Sequence, residues 1–305
     1  MSDSDGHVYP TPGYQMNFSE NLNAEQQAAA ERSMDAHIAH FTEARTLRRA
    51  AQAAQVESAA AINAPLVKLI EADPVAAKAL ADAGDRRRQF RQVFEEVEPP
   101  AIPRTRDLRL EFNTVVNDGV ADQIFPIPYH FDWRWHRGAA GDSSADRTTG
   151  EESVGTTIED DEFSDVHAGV GVSLSTTDFR RVKARSLRSS WESYLVSAGG
   201  FGGDATAEGG MEMTILEDGQ LLSSAQDKRF RRRLSNGESD QWDSGGFGTG
   251  DSIEVGCLMT PGRAYTLNVG AWVYCEQHDG FGLGGASGAV AKVNAKVIFM
   301  SLFDF

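Results

Sequence analysis

At 305 residues, with 40% hydrophobic and 24% charged residues, the chain has room for two domains and a substantial buried core. Its net charge of −16 argues against general affinity for nucleic acid or anionic membranes. Two cysteines are too few for a disulfide scaffold or a four-cysteine zinc site, and no apolar run approaches the roughly 20 residues of a membrane span. The first residues lack a basic region followed by an apolar one. No cleaved signal peptide is expected, and the expected location is the cytoplasm or a route of export that needs no such signal.

Residues 1–18 are polar, with Pro10 and Pro12, and read as an irregular arm. An α-helical region is expected over 19–100. Asn23 followed by Gln26 is a capping-box signature, and a helix free of Pro and Gly can run from there to about Ile62. Met34, Ile38, Phe41, Ala44, Leu47, Ala51 and Ala54 keep a three-and-four spacing along it. Beyond Leu47 this seam is nearly all alanine, so the helix buries little area per turn and needs a closely packed partner. Pro65, Pro74 and the Gly84–Asp85 pair predict breaks into shorter helices. The last of these presents Phe90, Val93, Phe94 and Val97 on one face, and Pro99–Pro100 ends it.

Over 101–305 the period changes to two, which predicts an antiparallel β-sandwich or jelly roll and hence an α+β class. Leu108, Leu110 and Phe112 alternate with charged residues, and Met211, Met213 and Ile215 lead into a hairpin turn at Glu217–Gln220. Ile253 to Met259 alternates up to Pro261–Gly262, and Tyr265 to Cys275 returns. Val293 to Phe303 is apolar on both phases near its end and suits a central strand. If Thr260–Arg263 joins two paired strands, Cys257 faces about Thr266, and both thiols are expected buried and free.

Charge is segregated. Between Trp135 and Asp178 ten acids face only Arg137 and Arg147, whereas Phe179–Leu234 carries ten cations against seven acids. The basic run Lys228, Arg229, Arg231, Arg232 and Arg233 is expected to contact acidic groups within the fold or on another subunit.

Chemical motifs are few. Gly280–Gly285 matches the dinucleotide-binding pattern, but an alternating strand follows where a helix is required, so no cofactor is assigned. Tyr129, Phe131, Trp133 and Trp135 share one strand face, either filling the sandwich core or, if exposed, stacking on a glycan. His130, Asp132 and His136 lie opposite with Arg134 among them, and no metal is assigned. Phe201, Phe247 and Phe281 recur in three Gly-Phe-Gly loops that would form a second aromatic cluster if the loops converge. The acidic stretches 159–162 and 236–240 do not fit a calcium loop, and no serine, P-loop or zinc-protease motif is present. No motif names a family. The expected function is a non-enzymatic structural or interaction subunit that self-assembles or binds protein partners. The alternatives are a glycan-binding protein using Tyr129, Trp133, Trp135 or the three loop phenylalanines, and a carboxylate-dependent hydrolase.

Overall fold

The computed structural model describes residues 13–95, 99–101, 121–159, 163–199, 202–278 and 287–304. Helix α1 (Ala24–Glu71) and helix α2 (Pro74–Glu95) precede all but the first strand of two antiparallel sheets packed as a sandwich. Asn23 caps α1 as its sequence requires: the Gln26 amide donates to Asn23 Oδ1 at 2.9 Å, and the Asn23 amide donates to Gln26 Oε1 at 3.0 Å. Against expectation, α1 continues through Pro65 and α2 through Gly84. Proline removes one backbone donor, so one carbonyl, that of Ala61, loses its partner, and Ala61 is exposed to water that can serve instead. Asn63 Nδ2 donates to the Ala59 carbonyl at 2.9 Å in the same turn. The face expected at Phe90, Val93 and Phe94 involves side chains outside the description, and Val97, with the 108–112 strand, lies outside the described residues. No described helix is long and apolar enough to cross a membrane.

The six-stranded sheet A has the order β1 (Tyr14–Phe18), β3 (Phe131–Gly138), β6 (Phe163–Ser175), β12 (Ala264–His278), β8 (Asp204–Glu217) and β9 (Gln220–Ser235). The arm read as irregular thus contributes an edge strand, with Met16 opposite Trp133. The seven-stranded sheet B runs β10 (Ser239–Asp243), β7 (Arg180–Ser197), β13 (Gly288–Asp304), β5 (Glu151–Glu159) and β4 (Gly141–Asp146). In it, β11 (Gly248–Met259) also pairs with β7, and β2 (Gln123–Pro126) with β13. Strand β13 is central, as its apolar phases predict. The Glu217–Gln220 hairpin forms with Asp218 at φ 48° and Gly219 at φ 83°, the left-handed pair that a two-residue hairpin turn demands.

The turn at Thr260–Arg263 behaves differently. It carries the chain from sheet B to sheet A, so β11 pairs with β7 and Cys257 faces Val182, not Thr266. Alternation alone cannot separate a hairpin from a crossover between layers. Both thiols are free; Cys275 is buried and Cys257 half-buried.

Inner residues from the two sheets form the main core, including Val166, Ala168, Val170, Met211, Met213, Val269, Ala271, Val293 and Val297. One carboxyl is buried with the inward phase of β5, that of Glu152. Burial pushes it well above the usual carboxylate range, the like charge of Glu212 adds to this, and the charge of Arg188 does not restore it. The folded state therefore holds this proton more tightly than the unfolded chain, and stability falls as pH rises above the ordinary carboxylate value. Glu152→Gln, which keeps the shape and removes the titration, should flatten this decline, worth at most about 1.4 kcal/mol per pH unit for one proton, and stabilise the protein at pH 8. Denaturant midpoints across the pH range check it; parallel curves for the two proteins would show that Glu152 is not the titrating group.

Candidate functional site

The site lies on the far side of sheet A, away from sheet B. There the outward phase of three central strands carries polar groups: Asp165 and His167 on β6, Asp204, Glu208, Glu212 and Thr214 on β8, and Asn268, Tyr274 and Glu276 on β12. All are buried. A sheet face with such residues would ordinarily meet water. Here α1 lies across it.

Two chemistries dock the helix. Its first turns use Ala30, Met34, Ile38 and Phe41, which pack with Leu22 against Phe131, Trp133 and Trp135 of β3. Trp133 lies flat on the sheet because Gly169 and Gly270 leave space: a Cβ on either would meet the indole at 2.5 or 2.6 Å. From Arg45 onward the contacts are ionic. Arg45 pairs with Asp165, Arg48 with Glu208 at 2.8 Å, and Arg49 with Glu276 at 3.3 Å. Gln52 Nε2 donates to Asp204 at 2.9 Å. Residues 45, 48, 49 and 52 recur at three-and-four spacing, so one helix face presents them in a row. Their guanidinium groups also stack on rings: Arg45 lies 4.7 Å from Trp272, Arg48 5.0 Å from Tyr274, and Arg49 3.6 Å from Phe163.

This corrects the expected seam. Met34, Ile38 and Phe41 are buried as predicted, but Ala44, Ala51 and Ala54 are exposed and Leu47 is 68% exposed. The buried stripe leaves Phe41 by way of Arg45 rather than Ala44. Reading charged residues as solvated misses a helix whose partner surface is itself charged.

At the centre of the docked face sit His37, His167 and Glu212, all fully buried, with their ligand-type atoms within 4.8 Å of one another. Glu212 Oε1 lies 3.0 Å from His37 Nε2 and 2.7 Å from His167 Nδ1. Each ring is held from its other side: His167 Nε2 is 2.8 Å from Asp165 Oδ1, and His37 Nδ1 is 3.1 Å from Thr214 Oγ1. Trp135 stacks on His167 at 3.8 Å, while Phe41 and Trp133 meet the His37 ring edge-on, each at 4.8 Å. Burial works against a charged His167, but Glu212 and Asp165 outweigh it and raise its pKa. Burial likewise works against the Glu212 carboxylate, yet His167 and His37 hold it well below the usual range. Asp165 is lowered, against burial, chiefly by Arg45. For His37 burial prevails and the imidazole is kept neutral. His167 Nε2 also lies 3.0 Å from Arg45 Nη1, so this nitrogen faces a guanidinium as well as a carboxylate.

The residues singled out in the sequence fare unequally. Trp133 and Trp135 are buried, as is Tyr129, so they form no exposed stacking platform. Phe131, Trp133 and Trp135 fill the layer under α1 rather than the sandwich core, because sheet A is covered on both faces. Tyr129 precedes the strand and turns into the inter-sheet core, where its hydroxyl donates to the Val297 carbonyl at 3.2 Å. His130 and Asp132 do not converge on a metal: the Ser173 amide donates to His130 Nδ1 at 3.0 Å, and Asn17 Nδ2 donates to Asp132 at 2.6 Å. Phe201 and Phe281 lie outside the described residues, as does the segment 160–162. Phe247 is half-buried and lines a cavity of about 590 Å³ with Glu192, Asp227, Arg229, Trp242 and Ser244.

The basic run finds its partners within the chain. Lys228 and Arg231 reach Glu208 at 2.8 and 3.2 Å, and Arg229 reaches Glu192 at 3.1 Å. Arg232 reaches Asp240 at 2.7 Å and Arg233 reaches Asp204 at 3.0 Å. None of these acids belongs to the block between Trp135 and Asp178. The docked face had a signal in the sequence: Asp165 and His167 two apart on β6, Asp204, Glu208 and Glu212 four apart on β8, and cations at helical spacing on α1.

No protein-family model and no curated protein matches the chain. Among solved structures, an arabinose-bound α-L-arabinofuranosidase aligns at 10% identity and a TM-score of 0.17, over 54% of this chain and 25% of that one. The CBM22-1 xylan-binding domain of Xyn10C from Paenibacillus barcinonensis aligns at 10% identity and a TM-score of 0.16, over 52% of this chain and 96% of that one. A T13 IBDV viral particle aligns at 12% identity and a TM-score of 0.14, over 57% and 49%. Likenesses of this strength carry no argument about what the chain does.

Removing Arg45 leaves the fully buried Asp165 without its principal partner, with only His167 at 2.8 Å and Arg137 at 3.8 Å beside it. Arg45→Ala should therefore destabilise the protein by about 3–5 kcal/mol, far more than loss of a surface arginine. Urea denaturation checks this; a loss below about 1 kcal/mol would mean that water reaches Asp165.

Proposed function

We propose that the chain is a non-enzymatic structural subunit that assembles with further copies of itself through the outward face of α1. The supporting observation is the stripe that sheet A leaves uncovered. Leu47, Ile62, Leu66 and Leu69 are 68, 75, 44 and 71% exposed, and with Ala51 and Ala54 they follow one face from Leu47 to Leu69, a rise of roughly 33 Å. A stripe of this size marks an interaction surface rather than scattered surface residues. Its small side chains let a second helix approach closely, and a second copy offers the same stripe in reverse about a two-fold axis. Glu212 and Asp165 are closed in under α1, and Glu152 is buried between the sheets, so these carboxyls are shut off from the surface. This weighs against the hydrolase reading.

A second reading keeps glycan binding but moves it from β3 to the cavity at Trp242 and Phe247. An exposed indole beside Arg229, Asp227 and Glu192 combines a flat apolar surface with hydrogen-bonding groups, the usual makeup of a sugar subsite.

Light scattering decides the first reading: the full chain should have a mass that is a multiple of 33.1 kDa. Replacing Ile62, Leu66 and Leu69 together by Glu should reduce it to the monomer with the fold intact. A wild-type monomer at the highest attainable concentration would refute assembly. For the second reading, glycan-array binding should disappear in Trp242→Ala, whose ring is exposed enough to be removed without unfolding. An array with no hits for the wild-type protein would end that reading.

A further inference from the structure

We propose that His37, His167 and Glu212 form a structural site for one divalent transition-metal ion of the zinc class, which fastens α1 to sheet A. Three observations lead there. The donor set is two imidazoles and one carboxylate, which suits zinc and its first-row neighbours and not the oxygen-seeking magnesium or calcium. The inward atoms already converge: Glu212 Oε1 is 3.0 and 2.7 Å from the two ring nitrogens. Ligands about 2.0–2.1 Å from a common ion lie roughly 3.3 Å apart, so Glu212 moves back from both rings by a fraction of an ångström while the two ring nitrogens, within 4.8 Å of each other, take up a similar spacing. Finally, both rings have an oxygen behind the nitrogen that faces away, Asp165 Oδ1 at 2.8 Å and Thr214 Oγ1 at 3.1 Å. Metal-bound histidines are oriented by outer oxygen partners of this kind, which set the tautomer and aim the free lone pair.

The ion would replace the proton between His167 Nδ1 and Glu212, while His167 keeps its Nε2 proton toward Asp165. His37 would carry its proton on Nδ1 and donate it to Thr214, freeing Nε2 as a ligand. The second oxygen of Glu212 or a water completes the coordination. Trp135 on one side and Trp133 with Phe41 on the other enclose the cluster, which fits an ion that holds structure together rather than one that turns over substrate. The three ligands come from α1, β6 and β8, so the ion links the helix to two strands distant from it in sequence.

The test uses the full chain, stripped with a chelator and titrated with Zn²⁺ or Co²⁺. Binding of about one equivalent is expected, with cobalt d–d absorption of a low-coordinate site and a raised melting temperature. Thr214→Val, which removes the partner of His37 together with an acceptor for Asn268 Nδ2 at 3.3 Å, should weaken binding about 10–100-fold while the protein stays folded. His136→Ala, at an exposed histidine elsewhere, should leave binding unchanged. X-ray absorption of the zinc-loaded wild-type protein reads the ligands without any variant: two imidazoles at about 2.0–2.1 Å are expected. Absence of tight binding to the wild-type chain, full affinity in Thr214→Val, or a spectrum without imidazole scattering would each overturn the proposal.

Discussion

The structure depends on one constraint: a sheet with charged and polar groups on its outer face has been removed from water by a helix. Each carboxylate on that face loses hydration, and the loss is offset only where α1 supplies a donor at the right height. Glu212, Asp165, Glu208, Glu276 and Asp204 all receive one, from His37, Arg45, Arg48, Arg49 and Gln52 in that order along the helix. Such pairs contribute little net stability by themselves, since Coulomb attraction and desolvation nearly cancel. They do penalise every alternative. Sliding α1 by one turn, about 5.4 Å, would leave buried charges without partners. The apolar contacts at Met34, Ile38 and Phe41 supply the adhesion, and the charged contacts set the register.

The same arrangement accounts for the aromatic strand. Phe131, Trp133 and Trp135 look like surplus hydrophobicity on a strand near a sheet edge. They are the floor on which the first half of α1 rests, and glycines in β6 and β12 make that floor flat enough for Trp133. Sheet A is thus the middle of three layers, with aliphatic residues toward sheet B and aromatic and ionised residues toward the helix. The third layer ends where the sheet ends. Beyond Gln52 the helix continues past its contacts with sheet A, and Ile62, Leu66 and Leu69 stay exposed there.

Much of this was legible beforehand, for identifiable reasons. The capping box at Asn23, the Glu217–Gln220 hairpin and the central position of β13 follow from local rules that tertiary contacts had no cause to override. The break expected at Pro65 failed because a proline removes a single donor, and an exposed helix tolerates that loss. The pairing expected of Cys257 failed because a turn of the same composition can join neighbours in one sheet or cross between two. Phe41 illustrates the deeper difficulty: Ala44 and Arg45 both continue the stripe, and hydropathy favours the alanine.

What the sequence determined by itself, then, was the period of each segment and so the class of the fold: a capped helix, then strands that bury every second residue between two sheets. Only the tertiary structure decided which face of the helix is inside, and that the polar phase of β6, β8 and β12 is interior too. Periodicity reports that a residue shares a face with others, but burial belongs to a pair of faces. Whether a charge sits in water or against an opposite charge depends on a partner more than a hundred residues away.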